Sequence, residues 1–264
     1  PFSEWLVCME HTGVYVLGLS AFLQSRQITY ALENPLQIKR SMGICRGKTD
    51  RADSSIIAQY ALRFQDRLRA YQLPCATLQS IRILLGQRER LVNCMRQLEL
   101  GMQSAKAYSC NLLEELQAAN LHIMEQMKQE THRLDKQLQT VIQADETLKS
   151  RYELIVSVPG IGLQTAAYIL LYTVGMKRFE SPRQFACYCG VAPFDYRSGS
   201  SIRGKTRVHY LANRKLKSLL HLCSLNAVRN DPELKKYYER KQAEGKNAMS
   251  VLNAIRFKLI CRVF

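Results

Sequence analysis

The chain has 264 residues, of which 47% are hydrophobic and 23% charged. That balance excludes a disordered, collagen-like or low-complexity chain and leaves room for one large cored domain or two to three smaller ones. Thirty-eight Lys and Arg against 22 Asp and Glu give a net charge of +16, which points to a polyanionic partner, nucleic acid foremost.

In chain order, residues 5–9 form a short apolar run that reads as a buried strand ending at Glu10. A helix follows over 14–24, a second strand over 28–32, and a short helix opened by Asn34-Pro35, with proline at a tolerated first-turn position. Gly43 and Gly47 mark a loop, and a helix runs from about Thr49 to Phe64. Strands separated by helices predict an α/β layer with a parallel sheet over residues 1–75. Two strands are too few for an independent sheet. Further strands are therefore expected upstream of Pro1, in keeping with a chain that opens without Met and stops inside a helical pattern.

Residues 76–150 carry no proline, and Leu, Ile and Met recur three and four apart (Leu78, Ile81, Leu85; Leu91, Met95, Leu98, Met102). This is an amphipathic helical pair or a coiled coil, with a break expected near 118–120. Residues 151–264 read as mainly helical, broken by loops at 160–162, 181–182, 190–204 and 230–232.

Charge is not evenly spread. The first 75 residues carry +3, residues 76–150 zero, and residues 151–264 carry +13. Seven of those cations (Arg197, Arg203, Lys205, Arg207, Arg214, Lys215, Lys217) lie in a run with no acidic residue. Neutralising phosphates with such a run gives salt-dependent affinity for DNA or RNA. The nine cysteines are scattered with no Cys-x-x-Cys pair, which excludes a disulfide framework, gives no zinc pattern and fits a reducing cytoplasm. There is no secretory signal, and the uncharged stretch 154–176 is broken by Pro159, Gly160 and Gly162, so no membrane span is expected.

Three motifs could carry chemistry. Asp50 and Asp53, three apart on one helix, point the same way and offer hard oxygen ligands of the kind that hold Mg²⁺. Acidic residues also suit a helix N-terminus without any ion. Glu10, at the carboxyl end of a strand, occupies the edge where open α/β sheets place functional groups. Together the three suggest metal-assisted phosphoryl chemistry. Lys48 and Arg51 beside the aspartates are candidate nucleic-acid contacts. Next, 158–162 (Val-Pro-Gly-Ile-Gly) resembles the turn of a helix-hairpin-helix, in which Gly160 and Gly162 would let backbone amides approach a phosphate; an unliganded helix–helix turn reads equally well. Last, 197–201 (Arg-Ser-Gly-Ser-Ser) sets serines inside the basic run. A serine nucleophile needs such a cationic setting, although most Ser-Gly pairs are simply turns.

Taken in this order, the motifs resemble the DEDD-type transposases of insertion sequence family 110, the bridge-RNA-guided serine recombinases. The match rests on 9–15 (Met-Glu-His-Thr-Gly-Val-Tyr), 47–53 (Gly-Lys-Thr-Asp-Arg-Ala-Asp), 158–162, 189–193 (Cys-Gly-Val-Ala-Pro), Ser198-Gly199, and the basic helix with Asn213 and Leu216. The resemblance implies an RNase H-like, RuvC-type domain over 1–75 with its first strands missing. It implies a coiled-coil linker over 76–150 and a mainly helical DNA-binding transposase domain over 151–264. Glu10, Asp50 and Asp53 would be three of four acidic Mg²⁺ ligands, and Ser198 the nucleophile, with Ser200 and Ser201 as alternatives. The implied partners are donor and target DNA, a structured noncoding guide RNA and further copies of the chain in a dimer or tetramer, inside a bacterial or archaeal cell. The family's first acidic ligand has no counterpart here, so this stretch alone is expected to catalyse poorly. A RuvC-like nuclease that uses water and a non-catalytic nucleic-acid-binding scaffold remain the alternatives.

Overall fold

A computed structural model describes residues 5–43, 49–105, 107–108, 112–198 and 202–264. These fall into two compact units, Pro1–Cys75 and Ala76–Phe264, each built around its own core.

In the first unit, β1 (Leu6–Glu10) pairs in parallel with β2 (Thr29–Glu33), with Cys8 opposite Ala31 and Glu10 opposite Glu33. Side chains alternate across a strand. Met9 and Tyr30 therefore pack with Val7 and Leu32 on one face, against Leu23 and Ile28. Leu23 belongs to α1 (Val16–Ser25), which follows a single 3-10 turn at Gly13–Tyr15. Asn34 caps α2 (Pro35–Ser41) by accepting the Leu36 amide at 2.9 Å, with Pro35 in the first turn as the sequence predicts. Thr49 caps α3 (Asp50–Arg63) by accepting the Ala52 amide at 3.2 Å. Helix α3 packs on β1, and on that side the Tyr60 hydroxyl donates to Glu33 Oε2 at 3.3 Å and accepts from Gln37 Nε2 at 3.1 Å.

The second unit begins with two long helices, α4 (Ala76–Ala105) and α5 (Leu112–Gln143), which pack antiparallel. The break falls between these helices, and 118–120 lies inside α5. The three-and-four spacing of Leu113, Gln117, Asn120, Met124, Met127, Thr131, Leu134 and Leu138 carries the seam straight through the small and polar residues that suggested an interruption. Among the described residues, burial is deepest at the base of this hairpin, although Met124 farther along α5 is also buried. Leu78, Ile81 and Leu85 of α4 and Leu138 and Ile142 of α5 join one core with α6 (Glu146–Val156), α7 (Leu163–Tyr172), α8 (Pro182–Tyr188), α9 (Arg214–Asn230), α10 (Pro232–Ala243) and α11 (Ala248–Val263). Helical and basic segments thus share a single core.

Polar contacts fix the hairpin base to that core. Lys215 Nζ on α9 lies 2.8 Å from Glu89 Oε1, and the buried Tyr168 hydroxyl donates to Glu89 Oε2 at 3.0 Å. Burial pushes the Glu89 carboxyl up, but the bonds from Lys215 and Tyr168 outweigh it and hold it below the usual range. Nearby, Arg88 donates to Asp135 Oδ1 at 2.8 Å, and Gln164 donates to the same oxygen.

Between α8 and α9 lies an antiparallel β-hairpin, β3 (Phe194–Ser198) and β4 (Ile202–Arg207), where the sequence reads as loop. Among the described residues, no helix is long and apolar enough to cross a membrane.

A buried cation lies on α11. Arg256 is 5% exposed; Nη2 meets Nδ1 of His221 on α9 at 2.9 Å and Nη1 donates to Asn253 Oδ1 at 3.3 Å. Because the guanidinium can only donate, His221 must accept on Nδ1 and stay neutral. Burial, then the Arg256 charge, holds the imidazole below its ordinary value. The unfolded state therefore binds the proton more readily, and this contribution is complete above roughly pH 6.5 and lost as pH falls below it. Urea midpoints should drop between about pH 7.5 and 5.5, and the drop should be smaller in His221→Asn. An equal drop in both proteins would remove His221 as the cause.

Candidate active site

Glu10 closes β1, and the alternation that turns Met9 toward Leu23 turns Glu10 to the face where α3 packs. The parallel register sets Glu33 beside it. Sequence reasoning passed over Glu33 and its partner Tyr60, although Glu33 ends β2 just as Glu10 ends β1. Asp50 and Asp53 sit in the first turn of α3, where the exposed amides favour acidic side chains. They lie seven to ten residues before Tyr60, about 10–15 Å along the axis at 1.5 Å per residue, and it is Tyr60 that reaches the Glu10–Glu33 end of the sheet.

The donor chemistry of these acids suits a hard cation. Their placement does not: among the described residues, no three of His, Cys, Asp and Glu gather closely enough to hold one ion. Asp50 and Asp53 can offer two oxygens from a single turn, with Glu10 on the sheet face beside the helix, but the three do not close around one point. Lys48 lies outside the described residues, and Arg51 is exposed in the first turn of α3.

In the second unit, α8 stops at Gly190, whose φ of +66° favours glycine. The Gly190 amide bonds to Cys187 O and the Val191 amide to Ala186 O, a closure that sends the chain into β3. Cys189, just before it, is fully buried, and burial alone pushes its thiol well up, so it belongs to the core. Ser198 ends β3 opposite Ile202, and Arg197 pairs in register with Arg203. Lys205 and Arg207 follow on β4. Ser200 and Ser201 lie outside the described residues. Asn213 caps α9 by accepting the Leu216 amide at 3.0 Å, which places Arg214, Lys215 and Lys217 in the first turn. These three cations differ in their surroundings. Arg214 is exposed and Lys217 half-buried, whereas Lys215 is held by Glu89 and lies 5.2 Å from the Tyr168 ring centroid.

The turn at 158–162 does join two helices, α6 and α7. Gly160 has φ +91°, and a Cβ there would sit 2.7 Å from Cys223 O and 2.9 Å from Ala227 N, both on α9. Its bare Cα side therefore faces a protein helix. Gly162 opens α7 and is exposed, with no neighbouring atom within 4 Å of the same point.

Two family models match the chain in succession. Residues 2–105 match the IS110-type DEDD transposase model, and residues 152–239 match the one described as Transposase IS116/IS110/IS902 family. Residues 2–105 and 152–239 are thus each similar to a domain of IS110-family transposases. Glu10, Asp50 and Asp53 fall in the first of them, Gly160, Gly162, Ser198 and the basic run in the second, and α11 beyond both. The chain is also similar, at 27% identity over 256 residues, to the pilin gene-inverting protein of Moraxella lacunata, covering 96% of this chain and 76% of that protein. Shorter stretches resemble an uncharacterised 43.6 kDa protein of insertion element IS110 from Streptomyces coelicolor, at 37% identity over 37% of this chain and 24% of that protein. Another relative, an uncharacterised 42 kDa protein of insertion element IS900 from Mycobacterium paratuberculosis, is 36% identical over 40% of this chain and 27% of its own length.

Proposed function

We propose that this protein is a transposase or recombinase that exchanges DNA strands through a covalent phosphoserine link at Ser198. The observation that carries the reading is the succession of the two transposase domains, the first bearing Glu10, Asp50 and Asp53 and the second bearing Ser198 in the basic run, next to Arg197, which pairs in register with Arg203. In this reading Ser198 Oγ attacks a backbone phosphorus. A P–Oγ bond forms, the bond to one deoxyribose oxygen breaks, and that oxygen takes up a proton while the serine proton passes to water or a neighbouring base. Attack by a hydroxyl of a second strand reverses the sequence and restores both the phosphodiester and the serine. One phosphodiester is kept throughout, so no external energy source is needed. Charge builds on the non-bridging oxygens, and the cations of the basic run are the groups suited to offset it.

Asp50 and Asp53 are proposed to help hold a divalent ion, Mg²⁺ in the family's pattern, which when bound would polarise the phosphoryl oxygens. The three acids do not converge on one point in this structure. A structured noncoding RNA is proposed to choose the donor and target DNA by base pairing. Copies of the chain are proposed to assemble through the outer part of the α4–α5 hairpin, where Leu100, Leu116, Leu121 and Ile123 are exposed. The similarity to a pilin gene-inverting protein supports site-directed rearrangement over simple hydrolysis.

Asp50→Asn and Asp53→Asn should each abolish rearrangement of a reporter in cells, while the salt dependence of DNA binding by the purified proteins stays that of the parent. Activity that survived both substitutions would leave the protein a binding scaffold.

A further inference from the structure

We propose that the turn joining the β-hairpin to α9, His209–Tyr210–Leu211, is a stacking platform for an unpaired nucleobase. The proposal rests on the reading that this domain handles nucleic acid and adds to it a site and a mode of recognition. Three observations support it.

First, the turn presents aromatic surface outward. The His209 and Tyr210 rings stack with centroids 4.5 Å apart and planes 28° apart, while Tyr210 remains 54% and Leu211 50% exposed. Second, the turn is held rigidly. The Ala212 amide bonds back to His209 O at 3.1 Å, and the Leu211 amide donates to His209 Nδ1 at 3.2 Å, which fixes the imidazole plane. Both ends are seated on the end of α8. Val208 and Ala212 lie so near Gly190 that a Cβ there would come within 2.8 Å and 2.7 Å of them, and the Asn213 amide donates to Tyr188 O at 2.8 Å. A surface turn pinned at both ends with an aromatic tip presents its rings at no further ordering cost. Third, the turn sits within the acid-free basic run, between Arg207 on β4 and the exposed Arg214 on α9. Cations that track a phosphate backbone, with an aromatic face between them, are what single-stranded nucleic acid requires, since every base offers a π-face and sequence matters little. A duplex keeps its bases stacked on one another and would use the cations but not the rings. DNA strands in mid-exchange and an RNA guide both present unpaired bases, and the chemistry is shared between them.

The test uses the intact protein and three probes: a DNA single strand carrying one 2-aminopurine, an RNA of the same sequence, and the blunt DNA duplex. Tyr210→Ala should weaken binding of one or both single strands roughly tenfold to a hundredfold. It should leave duplex affinity and the slope of log K against log salt unchanged, and it should remove the 2-aminopurine fluorescence change. Tyr210→Phe should restore both the single-strand affinity and the fluorescence change, and His209→Ala should reproduce part of the loss. Arg214→Ala should instead lower the salt slope on every probe. A loss confined to RNA would assign the platform to the guide, and a loss confined to DNA would assign it to the exchanging strands. Equal losses on single strand and duplex, or none in Tyr210→Ala, would overturn the proposal. So would parental affinity for all three probes together with lost capture of a protein partner. None of these outcomes touches covalent capture at Ser198, so the two readings stand or fall apart.

Discussion

Ser198→Ala should eliminate the covalent protein–DNA product. On a nicked DNA substrate, whose leaving strand escapes and cannot return, the parent protein should accumulate a species that survives denaturation and collapses on treatment with either protease or nuclease. Removing the hydroxyl removes the atom that bonds to phosphorus. The loss should exceed about a thousandfold, because in comparable hydrolases loss of the nucleophile alone costs nearly as much as loss of the whole catalytic set. Ser200→Ala and Ser201→Ala should retain the adduct, as should Cys189→Ala, whose thiol is sealed in the core. An adduct that persisted in Ser198→Ala would overturn the assignment. Hydrolysed ends with no protein attached would transfer the chemistry to water and to the acidic residues.

Gly160→Ala should be the most destabilising single methyl added to the second unit. At φ +91° any side chain is strained, and here the added carbon would overlap the Cys223 carbonyl and the Ala227 amide of α9, which cannot move without shifting the helix. Strain at such a backbone position and overlap against main chain each cost about 1–3 kcal/mol, so a loss of about 3 kcal/mol or more is expected. Gly162→Ala is the control. Its φ of −105° suits any residue and its surroundings are open, so its effect should stay within about 0.5 kcal/mol. Urea unfolding of both variants decides the matter. A Gly160→Ala protein as stable as the parent, but with weakened DNA binding, would return this glycine to phosphate contact.

The contrast between the two glycines shows what could be read in the sequence. A Gly-x-Gly turn between two apolar helical patterns announced a helix–turn–helix, and α6 and α7 are there. Which glycine was needed, and against what, depended on α9, some sixty residues further on, and no local pattern encodes that meeting. Similarly, Asn34-Pro35 marked the start of α2, and the start of α3 was legible at about Thr49, because capping is local chemistry. The β3–β4 hairpin escaped because its strands are short and rich in charge, with Phe194, Tyr196 and Ile202 as sparse alternating apolar residues. At the acidic site the two aspartates were legible from their spacing and Glu10 from its place at a strand end. Glu33 was not, because its relation to Glu10 comes from parallel register between strands separated in sequence by a helix. In the basic run, composition counted Lys215 with its neighbours, whereas the fold commits that ammonium to Glu89.

The Glu89–Lys215 contact has a mechanical consequence. Sixteen residues of α4 extend beyond Glu89 to Ala105, an arm of about 24 Å at 1.5 Å per residue. With its fulcrum braced by Lys215, Tyr168 and the Arg88–Asp135 pair, a tilt of ~10° would sweep the far tip by roughly 4 Å. A phosphate that drew Lys215 away from Glu89 would loosen that fulcrum, so occupancy at the head of α9 would be felt at the distant end of the arm.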